Sequence, residues 1–425
     1  MARVVATLLF VAACTNGADT IGSTDPGKAD GDSCMPGSAG TLDSCFGFVK
    51  GPAMSQTLYV GSTVQTDDKI LVYGNGHDGT RYTPFVTRYL ADGKIDPAFT
   101  AQLPAPQDSA YFKPAALVVK PDGHLLMTGT YGDDYYHSLY VLGLTPDGGA
   151  ETGGSIQIPN ATGSSGGKIL LADDGGYYLA GTTECEAAFT CDTKSIFVAR
   201  FDATGKLDTT YGTNGYATVT AGPHTLFKDA VITADGIDVL GLESEPIWVA
   251  GQESSFNKVV VGALDAGGHA RAGFATNGVL SWYASGDEYG TLAKAFRVAG
   301  DGTITVAAGL LNDELLTIGT DGAVRSTKVY SDSITDRLEP HFAADGTIFA
   351  AVADFPWRRF AHYAADGTPD ASFASTDVQV PNVPDGSAML DSEVAEVSGA
   401  WLITAHLYLA NENPDDEILL FRVWK

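Results

Sequence analysis

Short apolar runs and turn residues alternate along most of the chain, and no useful stretch keeps the period of a helix. Each run follows a pair of turn residues. The pattern appears as Asp67-Asp68-Lys69-Ile70-Leu71-Val72-Tyr73-Gly74, as Asp122-Gly123-His124-Leu125-Leu126-Met127-Thr128-Gly129 and as Asp174-Gly175-Gly176-Tyr177-Tyr178-Leu179-Ala180-Gly181. It returns at Asp235-Gly236, where the apolar run Ile247-Trp248-Val249-Ala250-Gly251 follows at a distance. Three further copies start at Asp301, Asp345 and Ser398. Successive starts are 55, 52, 61, 66, 44 and 53 residues apart.

A second turn closes each of the first six copies, at Asp92-Gly93, Asp147-Gly148, Thr204-Gly205, Gly267-Gly268, Asp321-Gly322 and Asp366-Gly367. Asp-Gly between apolar runs predicts a hairpin of type I′ geometry, with positive φ at both central residues. A third element follows in several copies, as Ile95-Asp96-Pro97-Ala98-Phe99, Leu207-Asp208-Thr209-Thr210-Tyr211-Gly212 and Pro369-Asp370-Ala371-Ser372-Phe373. Each unit therefore holds four short strands. One such sheet cannot bury both faces, and radial stacking of seven buries them all. The predicted fold is all-β, a seven-bladed β-propeller over residues 41–425. The seventh copy stops after its third strand, Ile418–Trp424, while Leu42-Asp43-Ser44-Cys45-Phe46-Gly47 matches the missing fourth element. That segment is expected to pair with the C-terminal strand and close the ring, which removes the open edges.

Apolar residues make up 44% of the chain, enough for a core. The 52 acidic residues outnumber 25 basic ones and leave a net charge of −27. Such a surface repels phosphate backbones, so nucleic acid is not an expected partner; a cation or a basic partner fits better. Much of the excess reads as a solvated exterior.

The first residues are Met-Ala-Arg, then an apolar run from Val4 to Ala13, then Cys14. Residues 1–13 are expected to be a signal peptide, the run being too short to span a bilayer. Val11-Ala12-Ala13-Cys14 resembles the bacterial lipobox, and that resemblance implies a lipid on the Cys14 thiol. Residues 14–40 are small and polar and read as a flexible tether. The expected product is an exported, membrane-anchored lipoprotein, in the periplasm or at the cell surface, and a monomer. Four cysteines remain after Cys14. Cys185 and Cys191 share one polar loop and are expected to pair, which leaves Cys34 for Cys45. Neither cysteine nor histidine spacing suits zinc. Asp30-Gly31-Asp32 is too short for a calcium loop, so no cofactor is expected.

The repeat resembles the delta-60 repeat of exported bacterial propellers. The third copy carries the resemblance best, through Ala199-Arg200-Phe201, Leu207-Asp208, Tyr211-Gly212 and Asn214-Gly215. The likeness covers about residues 41 to 425. Copies two, five and seven depart from it, and the second has no counterpart of Arg88 or Arg200. The resemblance implies a fold and export, and no reaction. The recurring Arg is expected to pair with Asp96 or Asp208 across its turn, as a structural ion pair.

Eight histidines are scattered without metal-ligand spacing, and no Gly-x-Ser-x-Gly, P-loop or dinucleotide fingerprint occurs. The long loops are expected to gather on one face of the disc and the tight turns on the other, and loops on a rigid scaffold are where ligands bind. Tyr131, Tyr135, Tyr136 and His137 in one loop and Trp357 in another form the predicted ligand site, suited to a protein, a peptide or a glycan. The protein is accordingly expected to be a non-catalytic binding scaffold. The alternative is a lyase or hydrolase with an acidic site at the mouth of the central channel.

Overall fold

The computed structural model describes residues 37–425 except 52–56, 66, 78–81, 104–110, 133–136, 157, 159–162, 185–192, 250–251, 285–289, 310–312, 332–336, 355–356, 375–376, 379–387 and 409–415. It contains seven antiparallel sheets. After a short β1 (Val49–Lys50), the first blade is β2 (Thr57–Val64), β3 (Ile70–His77) and β4 (Tyr82–Tyr89). The second is β5 (Tyr111–Val119), β6 (Leu125–Gly132), β7 (His137–Leu144) and β8 (Ala150–Ile156). The third is β9 (Gly163–Leu171), β10 (Tyr177–Glu184), β11 (Ile196–Phe201) and β12 (Tyr216–Val219). The fourth is β13 (Thr225–Thr233), β14 (Gly236–Val249), β15 (Gln252–Asp265) and β16 (Val279–Trp282). The fifth is β17 (Ala293–Val298), β18 (Ile304–Ala308), β19 (Asp313–Ile318) and β20 (Val324–Ser331). The sixth is β21 (Arg337–Phe342), β22 (Ile348–Asp354), β23 (Trp357–Tyr363) and β24 (Asp377–Val378). The seventh is β25 (Ala388–Val397), β26 (Ala400–Tyr408) and β27 (Asp416–Trp424), with β1 as its outer strand. No helix occurs among the described residues.

The first strands of neighbouring blades touch one another at every step but that from the sixth blade to the seventh, so they form the innermost ring around a central channel. Seven apolar clusters fill the seven gaps between blades. The expected closure is present. Val49 pairs with Leu420 and Lys50 with Leu419, and Leu42 bridges Val423. Backbone bonds extend the seam, Asp43 N–H to the Arg422 carbonyl at 2.8 Å and Trp424 N–H to the Thr41 carbonyl at 3.0 Å. The strand proper lies just beyond Leu42–Gly47, which acts as the loop leading into it.

The turns differ from the type I′ expectation. The glycine of each pair has positive φ, for example Gly123 at 85° and Gly346 at 91°, but the residue before it does not. Most are three-residue loops: a type I turn closed by one left-handed residue. In the first copy Asp68 takes the glycine's place at φ 59°. The preceding Asp has a separate task. Its Oδ1 accepts the N–H two residues on, as in Asp122 to His124 at 3.1 Å, Asp301 to Thr303 at 2.9 Å and Asp366 to Thr368 at 2.9 Å. These bonds favour the ionised carboxyl and hold it below its usual range.

The expected ion pair is part of a larger unit. Arg88 Nε meets Asp96 Oδ2 at 2.9 Å, and its guanidinium lies 4.7 Å from the Phe99 ring. Arg200 meets Asp208 at 3.5 Å, with Tyr211 buried alongside. The sixth blade substitutes His362, whose Nδ1 lies 2.8 Å from Asp370 Oδ2, beside Phe373. The seventh takes Arg422 from β27 and Asp43 and Phe46 from the N-terminal segment, with the guanidinium 4.3 Å from the ring. The third element is thus a loop that drives an aromatic plug between blades. It meets the third strand at a single bridge, such as Tyr89 to Ile95 or Phe201 to Leu207. The outer strand forms only afterwards, as in β12 and β16. The residue after the plug often stitches to the second turn of the next blade: Thr100 to Asp147, Gly212 to Gly267, Ala275 to Asp321 and Ala374 to Ala39.

Hydrogen bonds from Ser372 and His362 pull the Asp370 carboxyl down to about 2. A depressed carboxyl stabilises the fold fully above the unfolded value, near 3.9, and that contribution disappears as pH falls through about 2. The Asp370 side-chain carbon, followed by NMR, should therefore titrate near 2. In His362→Ala the midpoint should rise only part of the way to 3.9, because Ser372 still donates.

The fourth blade is read differently from its sequence. Its second strand, β14, begins at Gly236 directly, and Ile247–Val249 is the far end of a long hairpin with β15. A buried charge, Asp238, interrupts the apolar run that would have marked the start. This blade also reverses the ion pair. Ala263 stands where Arg88 and Arg200 stand, Arg271 takes the Asp position, and Arg271 reaches Asp238 at 2.6 Å.

Candidate functional site

The channel wall holds a set of charges at one level. Lys168, Asp229 and Glu339 each stand six residues before a turn Asp, and Glu393 stands five before Ser398. Ladder register places them in equivalent positions on four first strands: Lys168 opposite Ala180, Asp229 opposite Leu240, Glu339 opposite Ala351 and Glu393 opposite Thr404. In the first, second and fifth blades the same position holds Gly61, Ala116 and Ala295. The charges therefore fall on two pairs of neighbouring blades, with Ala295 between them on one side and Gly61 and Ala116 on the other. Register shifts sit beside the ring in six of the seven first strands, β21 being regular. Bulges of this kind re-aim side chains and are common next to functional sites.

Lys168 Nζ and Asp229 Oδ1 form an ion pair at 2.5 Å between the third and fourth blades. Glu393 has an open side toward the channel, but protein atoms crowd it on the others. That separation from bulk water is the main reason its carboxyl is pushed up to about 7; the Asp229 and Glu339 charges add to the rise and Lys168 opposes it. His341, two residues beyond Glu339, is shifted the other way: burial favours its neutral form, and Asp229 and Glu396 partly offset this. Groups from the third, fourth, sixth and seventh blades feel one another's charge, so they share one space. The arrangement offers carboxylates and one proton donor of near-neutral pKa to a ligand with cationic groups. Among the described residues no cluster of His, Cys, Asp and Glu is placed to hold a metal, and no helix is long and apolar enough to cross a membrane.

The predicted loop site lies elsewhere. Tyr131 is the last but one residue of β6, opposite Ser138, His137 begins β7, and Trp357 begins β23 opposite Asp354. All three border connections between second and third strands, on the face away from the tight turns, but the second and sixth blades are three apart around the ring. Tyr135, Tyr136, Cys14, Cys34, Cys185 and Cys191 lie outside the described residues. Cys45 is half-buried in the turn before β1. The channel charges were missed in the sequence because each is a single charge in an otherwise ordinary strand; counting back from the turn Asp would have aligned them.

A family model described as a domain of unknown function (DUF5122) beta-propeller matches residues 65–99, from the first tight turn to the Phe99 plug. No curated protein matches the sequence. Among solved structures the chain is similar to the polysaccharide lyase Uly1, with a TM-score of 0.53, 10% identity and 94% of each chain covered. It is also similar to the Dos1 propeller, at a TM-score of 0.46 and 12% identity, over 85% of this chain and 77% of that one. A puromycin-hydrolyzing peptidase of Mycobacterium tuberculosis matches at a TM-score of 0.45 and 13% identity, over 83% and 52%. The similarity to Uly1 is one of fold.

Proposed function

We propose that this chain is a non-catalytic cell-envelope lipoprotein whose propeller binds a peptide or protein bearing basic side chains. The observation that carries the reading is the arc of Asp229, Glu339 and Glu393 at one level of the channel, which favours cationic groups. In this reading the long-loop face, with Tyr131, Tyr135, Tyr136, His137 and Trp357, forms the entrance and makes the side-chain contacts of a protein, peptide or glycan. The repeat belongs with the delta-60 propellers. Residues 1–13 direct export, Cys14 carries the lipid, and residues 14–40 hold the propeller off the membrane as a monomer. Cys34–Cys45 and Cys185–Cys191 are disulfides of an oxidising compartment. Neither a cofactor nor nucleic acid has a part in this function.

An oligo-arginine peptide titrated calorimetrically at pH 6 and pH 8 tests it. With its carboxyl near 7, Glu393 is mostly protonated at the lower pH and mostly ionised at the higher, roughly a tenfold change in charged fraction. Binding should strengthen as pH rises, and Glu393→Gln should flatten that dependence. Equal affinity at both pH values, in wild type and variant alike, would sink the reading. One observation favours a second reading: an acid of near-neutral pKa suits glycan cleavage by general acid catalysis. Its signature would be turnover of an acidic or neutral polysaccharide that disappears in Glu393→Gln.

A further inference from the structure

Five of the seven gaps between blades are plugged by the aromatic of a loop that follows the second turn: Phe99, Tyr211, Phe274, Phe373 and Phe46. The second and fifth blades lack this loop, since β8 and β20 follow their turns directly. In the fifth, the gap is filled by other means. Tyr330 at the end of β20 is buried against Tyr363, and Lys328 reaches across to Asp366 and Thr368. In the second, no aromatic follows the turn: Ile156 and Ile158 pack at the far end of the gap, the ladder equivalent of Lys328 is Gly154, and a side chain at Gly154 would meet nothing within 4 Å.

The result is a cleft of about 440 Å³ between the second and third blades, opening on the tight-turn face. Its size falls within the roughly 300–1,000 Å³ range of small-ligand sites. Its walls are those of a plug slot. Leu126, Val141 and Gly143 stand where Leu71, Val86 and Arg88 surround Phe99 in the first blade. Across the gap, Tyr177, Phe201 and Ala203 stand where Leu125, Leu144 and Pro146 stand. Tyr177 and Phe201 stack with centroids 4.8 Å apart and form an aromatic wall. Gly143 leaves the volume of the guanidinium empty as well. The Thr204 carbonyl occupies the position of the Asp147, Gly267 and Asp321 carbonyls, each of which accepts an N–H from the residue after a plug; no backbone N–H of a described residue donates to Thr204.

We propose that this slot is a binding site for an aromatic side chain presented on a peptide in trans, seated as the protein's own plugs are seated, with the ring against Tyr177 and Phe201 and a peptide N–H on the Thr204 carbonyl. The site is separate from the channel and stands or falls independently of the function assigned there. The probe is the capped peptide Leu-Asp-Thr-Thr-Tyr-Gly, which reproduces residues 207–212, carrying a dye for fluorescence anisotropy. It should bind the intact protein, and the same peptide with Tyr replaced by Ala should not. Tyrosine amide should compete only weakly, because it lacks the turn that positions the N–H; competition equal to the peptide's would mean a site for free aromatic molecules and would overturn the peptide assignment. Gly154→Leu fills the cleft from β8 and should weaken peptide binding at least tenfold. Should Gly154→Leu lower the melting temperature, Ala203→Arg at the exposed rim provides the second block with the same expected loss. Absence of binding at millimolar peptide, or binding untouched by both variants, refutes the proposal.

Discussion

A variant lacking residues 37–51 should lose cooperative folding. The segment carries Phe46, Phe48 and Val49, each at most 6% exposed, into the gaps beside the seventh blade. Full burial of side chains of this size stabilises by roughly 1.5–3 kcal/mol each, so three of them approach the 5–15 kcal/mol of a typical whole domain. The deletion also removes Asp43 from below Arg422 and leaves the outer edge of β27 unpaired. An unpaired edge of Ile418, Leu419, Leu420 and Phe421 is a template for association. Thermal unfolding followed by circular dichroism should show a broad or absent transition, and size-exclusion chromatography should show oligomers. Phe46→Ala alone should cost about 3–5 kcal/mol and keep the ring closed. A deletion that unfolds as sharply and at the same temperature as the full chain would mean that β1 is an ornament on an already closed disc.

The ring was legible because its signals repeat. Seven Asp-Gly-like turns, each before an apolar run, fix the number of blades, and the missing strand of the last copy finds its match near the front of the chain. Details that depend on one residue type doing two jobs were not legible. The turn Asp looked like the first half of a type I′ pair; it is instead the acceptor for an N–H two residues on, as Asp122 and Asp301 show. The same chemistry accounts for part of the acidic excess, because carboxylates held in turns are structural groups as well as surface charge. The Leu-Asp-x-x-Tyr element looked like a strand because Leu207 and Tyr211 alternate with polar residues, yet its Asp208 turns the chain and Tyr211 packs sideways between blades. The channel charges carry no local signature at all. Lys168, Asp229, Glu339 and Glu393 acquire meaning only when four strands are superposed, which is a property of the closed ring.

The fourth blade yields the other large effect. Asp238 is 1% exposed, and Arg271 is its partner at 2.6 Å. Burial raises the Asp238 carboxyl, and Arg271 works against that rise. Arg271→Ala leaves the carboxylate without its counter-charge in the apolar gap between the fourth and fifth blades, on the face of β14 and β15 that carries Leu240 and Ala263, beside the Phe274 plug. Breaking a buried pair from one side typically costs about 3–5 kcal/mol, more than the pair itself contributes, since an uncompensated charge remains. The loss should depend on pH in a definite sense. In the variant the folded carboxyl binds its proton more readily than the unfolded one, near 3.9, so the folded state is favoured at low pH and loses ground as pH rises above that value. Chemical denaturation of Arg271→Ala should therefore show a smaller deficit at pH 5 than at pH 8. The first blade suggests the rescue, because Leu71 occupies the ladder position equivalent to Asp238. Asp238→Leu combined with Arg271→Ala should recover most of the lost stability and abolish the pH dependence. If the double variant is no more stable than Arg271→Ala, the guanidinium acts through its contacts with Thr233 and the Leu264 carbonyl, and the buried charge is not what makes it necessary.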